Sequence, residues 1–152
     1  MVEQNASLKE RLQGDMKAAL KAGEKDRLST IRLILAAVKQ KEVDERIMLD
    51  DAQVVVVLDK MVKQRRESIA QYEAAGRNDL AGIEQAELAI IQEYLPQALS
   101  EEEVAAILQA AIQESGAKSI GDMGKVMALA RPRLQGRTDM SAASARVKSL
   151  LT

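Results

Sequence analysis

The sequence contains no cysteine, histidine, tryptophan or phenylalanine, and its only aromatic residues are Tyr72 and Tyr94. Without thiols or imidazoles, the chain cannot form a disulfide, a thiolate nucleophile, an imidazole general base or a zinc site of the usual ligands. Two tyrosines are also too few for an aromatic platform on which single-stranded bases stack. These absences exclude most classes of enzyme. We therefore expect no cofactor, no bound metal and no catalytic residue in the chain on its own.

Long apolar runs are missing as well. The longest is Leu33–Val38, six residues, and Val54–Leu58 has five, whereas a membrane-spanning helix needs about 20. The first twelve residues carry charge throughout and lack the apolar core of a secretory signal peptide. From these features we expect a cytoplasmic protein that does not bind membranes.

The overall net charge of −1 hides an uneven distribution. Residues 1–97 carry a net charge of −2 and residues 98–152 a net charge of +1. After Gly116 the chain has seven basic and only two acidic side chains, Asp122 and Asp139. A local excess of this sign attracts phosphate groups even in an acidic protein. The alternative is that these cations lie on ordinary solvated helix faces.

Apolar residues recur at helical spacing along the chain and predict an all-α fold of about seven helices. In a first domain, residues 1–97, four helices are predicted, with start signals at Ser7, Arg27, Asp50 and Asn78. The four valines 54–57 favour a strand by their branching, but the helical pattern continues beyond the length of a strand.

A second domain is predicted over residues 98–152, after the boundary at Pro96. Ser100 and Glu103 form a capping box that starts its first helix. Two further helices are predicted near residues 122–130 and 139–151, with Pro132 and Gly136 interrupting the stretch between them.

Clusters of like charge also occur on the predicted helices of the first domain. One basic cluster comprises Lys60, Lys63, Arg65 and Arg66. Asp59 and Glu67 are close enough in sequence to pair with it inside the same helix. Two acid pairs have the spacing to share a hard cation, Glu42 with Glu45 and Glu84 with Glu87. Because exposed acid pairs at this spacing are common, we predict no metal site.

Glycine-containing segments near residue 124 partly match two phosphate-binding motifs. Gly124-Lys125 lacks the earlier glycine and the following hydroxyl of a phosphate loop, since Ser119 and Val126 stand there. The spacing of Gly121 and Gly124 matches a KH clamp loop, but Asp122 would repel phosphate and no strands are predicted. Nucleotide binding is not predicted, and Gly124 is expected to allow close helix packing.

Several segments of the chain, in order and spacing, resemble a known family. They are Leu28–Leu35, Lys60–Arg66, Gly76–Leu80, Glu93–Pro96 with Ser100–Glu103, and Asp122–Met127 followed by Gly136–Asp139. Together they are similar to the YqeY family, over nearly the whole chain. This family is similar to the tail of GatB, the B subunit of the glutamine-dependent aspartyl/glutamyl-tRNA amidotransferase, most clearly in Gly124–Met127, Gly136 and Val147–Leu150.

The resemblance implies an all-α fold in two helical parts and a role in holding tRNA, because the GatB tail helps to hold tRNA while catalysis occurs elsewhere. The GatB catalytic cradle and the amidase subunit have no counterpart in this sequence. We therefore expect a non-catalytic, tRNA-binding helical module, with a possible protein partner in aminoacyl-tRNA metabolism. Two alternatives stay open: an all-helical protein–protein adaptor, and a partner-dependent carbon–nitrogen ligase component that uses glutamine as amido donor.

If tRNA binds, the basic segment after Gly116 is the expected contact surface. The main contacts are expected from Lys125, Arg131, Arg133, Arg137 and Lys148, with Lys118 and Arg146 at the margin. Gly124 and Gly136 would let an RNA backbone approach closely. The predicted helix starts near Asp122 and Asp139 offer backbone N–H groups, but as caps these aspartates would occupy the same groups.

Overall fold

The computed structural model describes residues 7–152, and these residues form seven α-helices, one 3₁₀ turn and no strand. The predicted all-α fold is confirmed. The helices are α1 Leu8–Ala22, α2 Lys25–Glu45, α3 Asp51–Ala74, α4 Asn78–Gln92, α5 Glu101–Ser115, α6 Met123–Leu134 and α7 Met140–Leu151, with the 3₁₀ turn at Ile120–Asp122 before α6. Over this range no helix is both long and apolar enough to cross a membrane. The chain divides into two compact units, one ending at Leu95 and the other spanning Pro96–Thr152.

The first unit is built from α1 to α4 around one apolar core. Helix α3 packs along α4, α1 packs along α2, and α2 also contacts α4. The side chains at the centre of this core are fully buried, and they include Leu12, Ile31, Ile34, Val54, Leu58 and Ile91. Each of these helices therefore presents the apolar stripe that its sequence predicts to its neighbours.

Most helix boundaries in the first unit follow local signals. Ser7 Oγ accepts a hydrogen bond from the Glu10 N–H at 3.1 Å, and Asp50 and Gln53 form a reciprocal capping box with both bonds at 2.9 Å. The chain leaves α1 through Gly23, whose φ of 72° lies in the left-handed region that glycine adopts without strain. Helix α2 begins at Lys25, two residues earlier than predicted.

The predicted cap at Asn78 is wrong, because Asn78 is the first residue inside α4. The turn between α3 and α4 is completed earlier in the chain. Gly76 has a φ of 73°, and the Arg77 N–H donates to the Tyr72 carbonyl at 2.8 Å. The chain direction has thus already changed at Arg77, and α4 starts without a side-chain cap.

The second unit contains α5, α6 and α7 around a separate core. Its fully buried side chains include Leu108, Val126, Leu134 and Val147. The predicted end of α6 near residue 130 is wrong, because the helix continues through Pro132 to Leu134. Pro132 costs the helix one backbone hydrogen bond, but it is exposed and lies in the last turn, where burial of Leu134 holds the helical backbone in place.

Candidate nucleic-acid interface

The seven basic residues predicted to contact RNA all lie in the second unit. Lys118 precedes the 3₁₀ turn, Lys125, Arg131 and Arg133 lie on α6, Arg137 follows α6, and Arg146 and Lys148 lie on α7. Six of them are exposed and Arg137 is half-buried. They differ in what their charged groups contact inside the unit, and this difference divides them into three groups.

Two of these cations have carboxylate partners. Arg133 Nη2 lies 3.5 Å from Glu114 Oε2 on α5, and Lys125 Nζ lies 4.0 Å from Asp122 Oδ1. The side chains of Arg133 and Glu114 are both nearly half exposed, and that of Lys125 is 72% exposed. Exposed pairs of this kind stabilise a fold by about 0–1 kcal/mol. A phosphate group can therefore replace either carboxylate at small cost.

Two further cations donate to main-chain carbonyls. Arg137 Nε donates to the Gln97 carbonyl at 3.1 Å, and the Leu99 N–H donates back to the Arg137 carbonyl at 2.8 Å. Arg146 Nη1 donates to the Glu101 carbonyl at 3.4 Å. These bonds tie the segment before α5 to the loop after α6, and α7 to the first turn of α5. Both guanidinium groups therefore have a structural role, although each keeps other N–H donors.

The remaining three cations are Lys118, Arg131 and Lys148. All are exposed, and no carboxylate between residues 7 and 152 lies within 4.0 Å of their charged groups. Arg131 lies at the edge of the buried face of α6, four residues after the buried Met127 and three before the buried Leu134, and its side chain is exposed. Within the described unit, these are the cations most available to an external anion.

Two glycines were predicted to allow close approach of a backbone. Gly124 is exposed near the start of α6, and a Cβ built there would meet nothing within 4 Å. Its expected role in close helix packing is therefore wrong, because no atom of a described neighbouring element lies within contact distance of that Cβ position. Gly136 has a φ of 78° and forms the turn after α6, where the Arg137 N–H donates to the Leu134 carbonyl at 2.9 Å.

The two aspartates near the helix starts use the backbone N–H groups around them. Asp122 Oδ2 accepts from the N–H groups of Lys118 and Ser119, at 3.0 and 3.3 Å, and these bonds hold the pKa of Asp122 below its ordinary value. Asp139 caps α7 by accepting from the Ser141 N–H at 2.9 Å. These N–H groups are thus already paired with a carboxylate rather than open to a phosphate.

The tertiary structure also adds acidic residues to the basic segment. Helix α5 belongs to the same unit and supplies Glu101, Glu102, Glu103 and Glu114. The unit therefore contains seven basic and six acidic side chains, a much smaller excess than the sequence after Gly116 has by itself. Glu103 caps α5, and the hydrogen bond from the Ser100 N–H lowers the pKa of Glu103.

Comparison with known proteins assigns the chain to a family. A family model described as Yqey-like protein matches residues 9–151. The chain belongs to the YqeY family. The resemblance expected from the sequence is thereby confirmed over nearly the whole length.

Among curated proteins, this YqeY-family chain is similar to several fungal proteins named "Altered inheritance of mitochondria protein 41, mitochondrial". It is 42% identical over 107 residues to the Eremothecium gossypii protein. The matched residues cover 68% of this chain and 58% of that protein. It is 38% identical over 85 residues to the Vanderwaltozyma polyspora protein, covering 55% and 46%. For the Pyrenophora tritici-repentis protein the identity is 31% over 128 residues, covering 81% and 71%. The chain thus spans about half the length of the first two relatives.

These relatives contradict the predicted cytoplasmic location, because all three are named as mitochondrial proteins. The prediction depended on the absence of an apolar secretory signal and of membrane spans. Those criteria detect secretion and membrane insertion only, so they do not distinguish the cytoplasm from an organelle reached by another route.

The acid pairs of this YqeY-family chain are occupied by its own cations. Arg65 on α3 lies 3.2 Å from Glu84 and 3.1 Å from Glu87 on α4, and all three side chains are about four-fifths buried. The predicted pairing of the α3 basic cluster within its own helix is therefore wrong for Arg65, since tertiary packing brings α4 closer than Glu67. Among residues 7–152 no group of three or more acidic side chains is placed to hold a metal ion.

Sequence reasoning missed a buried carboxylate at Glu42. Only 7% of Glu42 is exposed, and its Oε2 accepts from Lys9 Nζ at 2.6 Å and from the Leu49 N–H at 2.9 Å. These two hydrogen bonds, the Lys9 bond first, hold its pKa below the ordinary value. The signal was present, because Glu42 continues the buried stripe of Ile34 and Val38 at a spacing of four residues.

Proposed function

We propose that this YqeY-family chain is a non-catalytic tRNA-binding module, related to the tail of GatB, whose second unit contacts the RNA. The observation that supports this proposal best is the set of three exposed cations without carboxylate partners in the described unit: Lys118, Arg131 and Lys148. Phosphate contacts need cations that are free to exchange small counterions for the RNA backbone. Gly124 leaves open surface on the same helix as Arg131.

The structure changes which residues should be tested first. Arg137 and Arg146 bond to main-chain carbonyls, so replacing them would disturb the unit as well as any RNA contact. Lys118, Arg131 and Lys148 have no such bonds from their side chains in the part of the chain described here. A triple change to glutamine removes three positive charges and leaves the known contacts of the unit in place.

The experiment measures binding of labelled tRNA to the purified chain over a series of salt concentrations. If each cation contacts one phosphate, the triple glutamine variant should bind more weakly, and the slope of log affinity against log salt should fall by roughly 2–3, since each contact contributes about 0.7–0.9. The matched control changes Lys17, Lys21 and Lys25 of the first unit to glutamine. These three lysines are also exposed and have no carboxylate partner among residues 7–152.

The control triple variant should bind tRNA as the unchanged chain does. Equal losses from both triple variants would indicate non-specific attraction by total charge. Absence of any salt-dependent tRNA binding would contradict the proposal and favour the protein–protein adaptor. A thermal melt of each variant checks that the unit remains folded.

A further inference from the structure

A groove runs along the surface of the first unit between α2 and α4, and we call it the α2–α4 groove. It is about 410 Å³ in volume. Its α4 side is formed by Gly82, Ile83, Ala86 and Ile90, and its α2 side by Ser29 and Thr30. Acidic side chains complete the lining, namely Asp26, Asp79 and Glu87, and no basic residue takes part in it.

The α4 side of this groove is apolar and open to solvent. Ile83 is 58% exposed, among the most exposed large apolar side chains in the described chain, and Ile90 is half-buried beside it. Ile83, Ala86 and Ile90 follow one another at intervals of three and four residues, so they share one side of α4 over two turns. A Cβ built on Gly82 would meet nothing within 4 Å, which shows that the groove is open at this point.

The negative charge at the groove is only partly neutralised by neighbouring arginines. Arg77 donates to both carboxylate oxygens of Asp79, at 3.2 and 3.1 Å. The single guanidinium of Arg65 forms ion pairs with both Glu84 and Glu87, so these three side chains together keep one excess negative charge. Asp26 has no cationic side chain within ion-pair distance among residues 7–152. The groove therefore combines an apolar α4 side with a net negative edge.

We propose that the α2–α4 groove binds a basic amphipathic helix of a partner protein. The partner helix would place aliphatic side chains on Ile83 and Ile90, and lysine or arginine side chains against Asp26 and Glu87. From Asp79 to Ile90 the groove follows α4 for about 16 Å, which matches three turns of a bound helix with anchors at i, i+3 or i+4 and i+7. The negative edge excludes RNA, so this surface serves a different partner from the cations of the second unit.

Two exposed glycines in helices provide a matched pair of variants. Gly82 lies in α4 at the groove, Gly14 lies in α1 outside it, and a Cβ at either position meets nothing within 4 Å. Gly82→Arg would fill the groove and reverse its local charge, while Gly14→Arg makes the same change elsewhere. Both replace a helical glycine by a better helix former, so neither variant should lose stability.

The test measures binding of a fluorescent synthetic peptide to the full chain by anisotropy. The peptide is a helix of about four turns with leucines at the anchor positions and lysines and arginines on its flanks, and a scrambled peptide of the same composition is the comparison. We expect the amphipathic peptide to bind at least tenfold more tightly than the scrambled one, with affinity falling as salt is raised. Gly82→Arg should remove this preference, Gly14→Arg should keep it, and Asp26→Asn should weaken binding and reduce its salt dependence.

Three outcomes would overturn the proposal. The first is equal affinity for the amphipathic and scrambled peptides, and the second is equal behaviour of the two glycine variants. The third is self-association of the unchanged chain that Gly82→Arg abolishes, which would assign the groove to a second copy instead. Because tRNA binding is measured separately on the second unit, none of these results depends on the function proposed above.

Discussion

Tyr94 Oη donates a 2.5 Å hydrogen bond to the carboxylate of Asp15, 79 residues earlier in the chain. The tyrosine is 3% exposed, and the Arg11 guanidinium lies 4.8 Å from the centre of its ring. Arg11 also donates to the Glu93 carbonyl at 3.2 Å. Burial, and then the bond to Asp15, raise the pKa of Tyr94 above its ordinary value. Helix α1 thus fixes the end of α4, just before the first unit ends at Leu95.

We predict that Tyr94→Phe lowers the free energy of unfolding by about 1–3 kcal/mol, because it removes a hydrogen bond to a charged acceptor and keeps the ring. Urea unfolding of the full chain measures the change. Tyr72→Phe is the control, since Tyr72 is half-buried and its hydroxyl makes no hydrogen bond to another residue between 7 and 152. Equal destabilisation by the two changes would show that the bond to Asp15 contributes nothing particular.

The buried Glu42 predicts a specific acid sensitivity. Its folded pKa is lowered by the Lys9 and Leu49 bonds, so the stabilisation is fully present above the unfolded value of about 4.3 and is lost as pH falls through the lower folded value. Glu42→Gln should therefore remove part of the loss of stability that the unchanged chain shows on acidification. Unfolding measured from neutral pH down to acid tests this expectation.

The partner of Glu42 supplies a control for the same experiment. Lys9→Met removes the ion pair and leaves a buried carboxylate with only the Leu49 N–H, so the melting temperature at neutral pH should fall. Lys17→Met, an exposed change on the same helix, should leave it unchanged. Similar melting temperatures for both lysine variants would contradict the role assigned to Glu42.

Removal of the shared cation at Arg65 should destabilise the first unit at neutral pH. In Arg65→Met the carboxylates of Glu84 and Glu87 remain partly buried and repel each other, which should cost roughly 1–3 kcal/mol at neutral pH. Urea unfolding at neutral pH measures this loss. Arg66→Met, an exposed change on the same helix, should leave the free energy of unfolding unchanged. Equal stability of the two variants would argue against the paired role of Arg65.

Alanine at Gly14, inside α1, and alanine at Gly23, which ends α1, should change the free energy of unfolding in opposite directions. Gly14 lies inside the helix with open space at its Cβ position, so Gly14→Ala should stabilise by about 0.5–1 kcal/mol. Gly23 ends the helix with a φ of 72°, a conformation that costs an alanine about 1–2 kcal/mol, so Gly23→Ala should destabilise. Chemical unfolding of both variants measures the difference, and the same sign for both would contradict this account.

Local patterns in the sequence were enough to predict the all-α fold, most helix boundaries and the family. Apolar residues at helical spacing, the capping boxes at Asp50 and Ser100 and the glycine at Gly23 are local signals, and local signals act over a few residues whatever the rest of the chain does. The seven candidate cations could also be named, because charge is a property of the residue alone. Residue identity did not indicate which of them are free to bind.

The pairing of charges, in contrast, depends on tertiary packing. Arg65 pairs with glutamates of α4 and not with Glu67 of its own helix. Packing also brings Glu114 to Arg133 and Lys9 to Glu42. The α2–α4 groove likewise exists only because two helices distant in sequence pack side by side. The two kinds of feature differ in the sequence separation of the residues that interact. Helix formation is governed by neighbours within four residues, whereas an ion pair or a groove depends on side chains that only the packing of the core brings together.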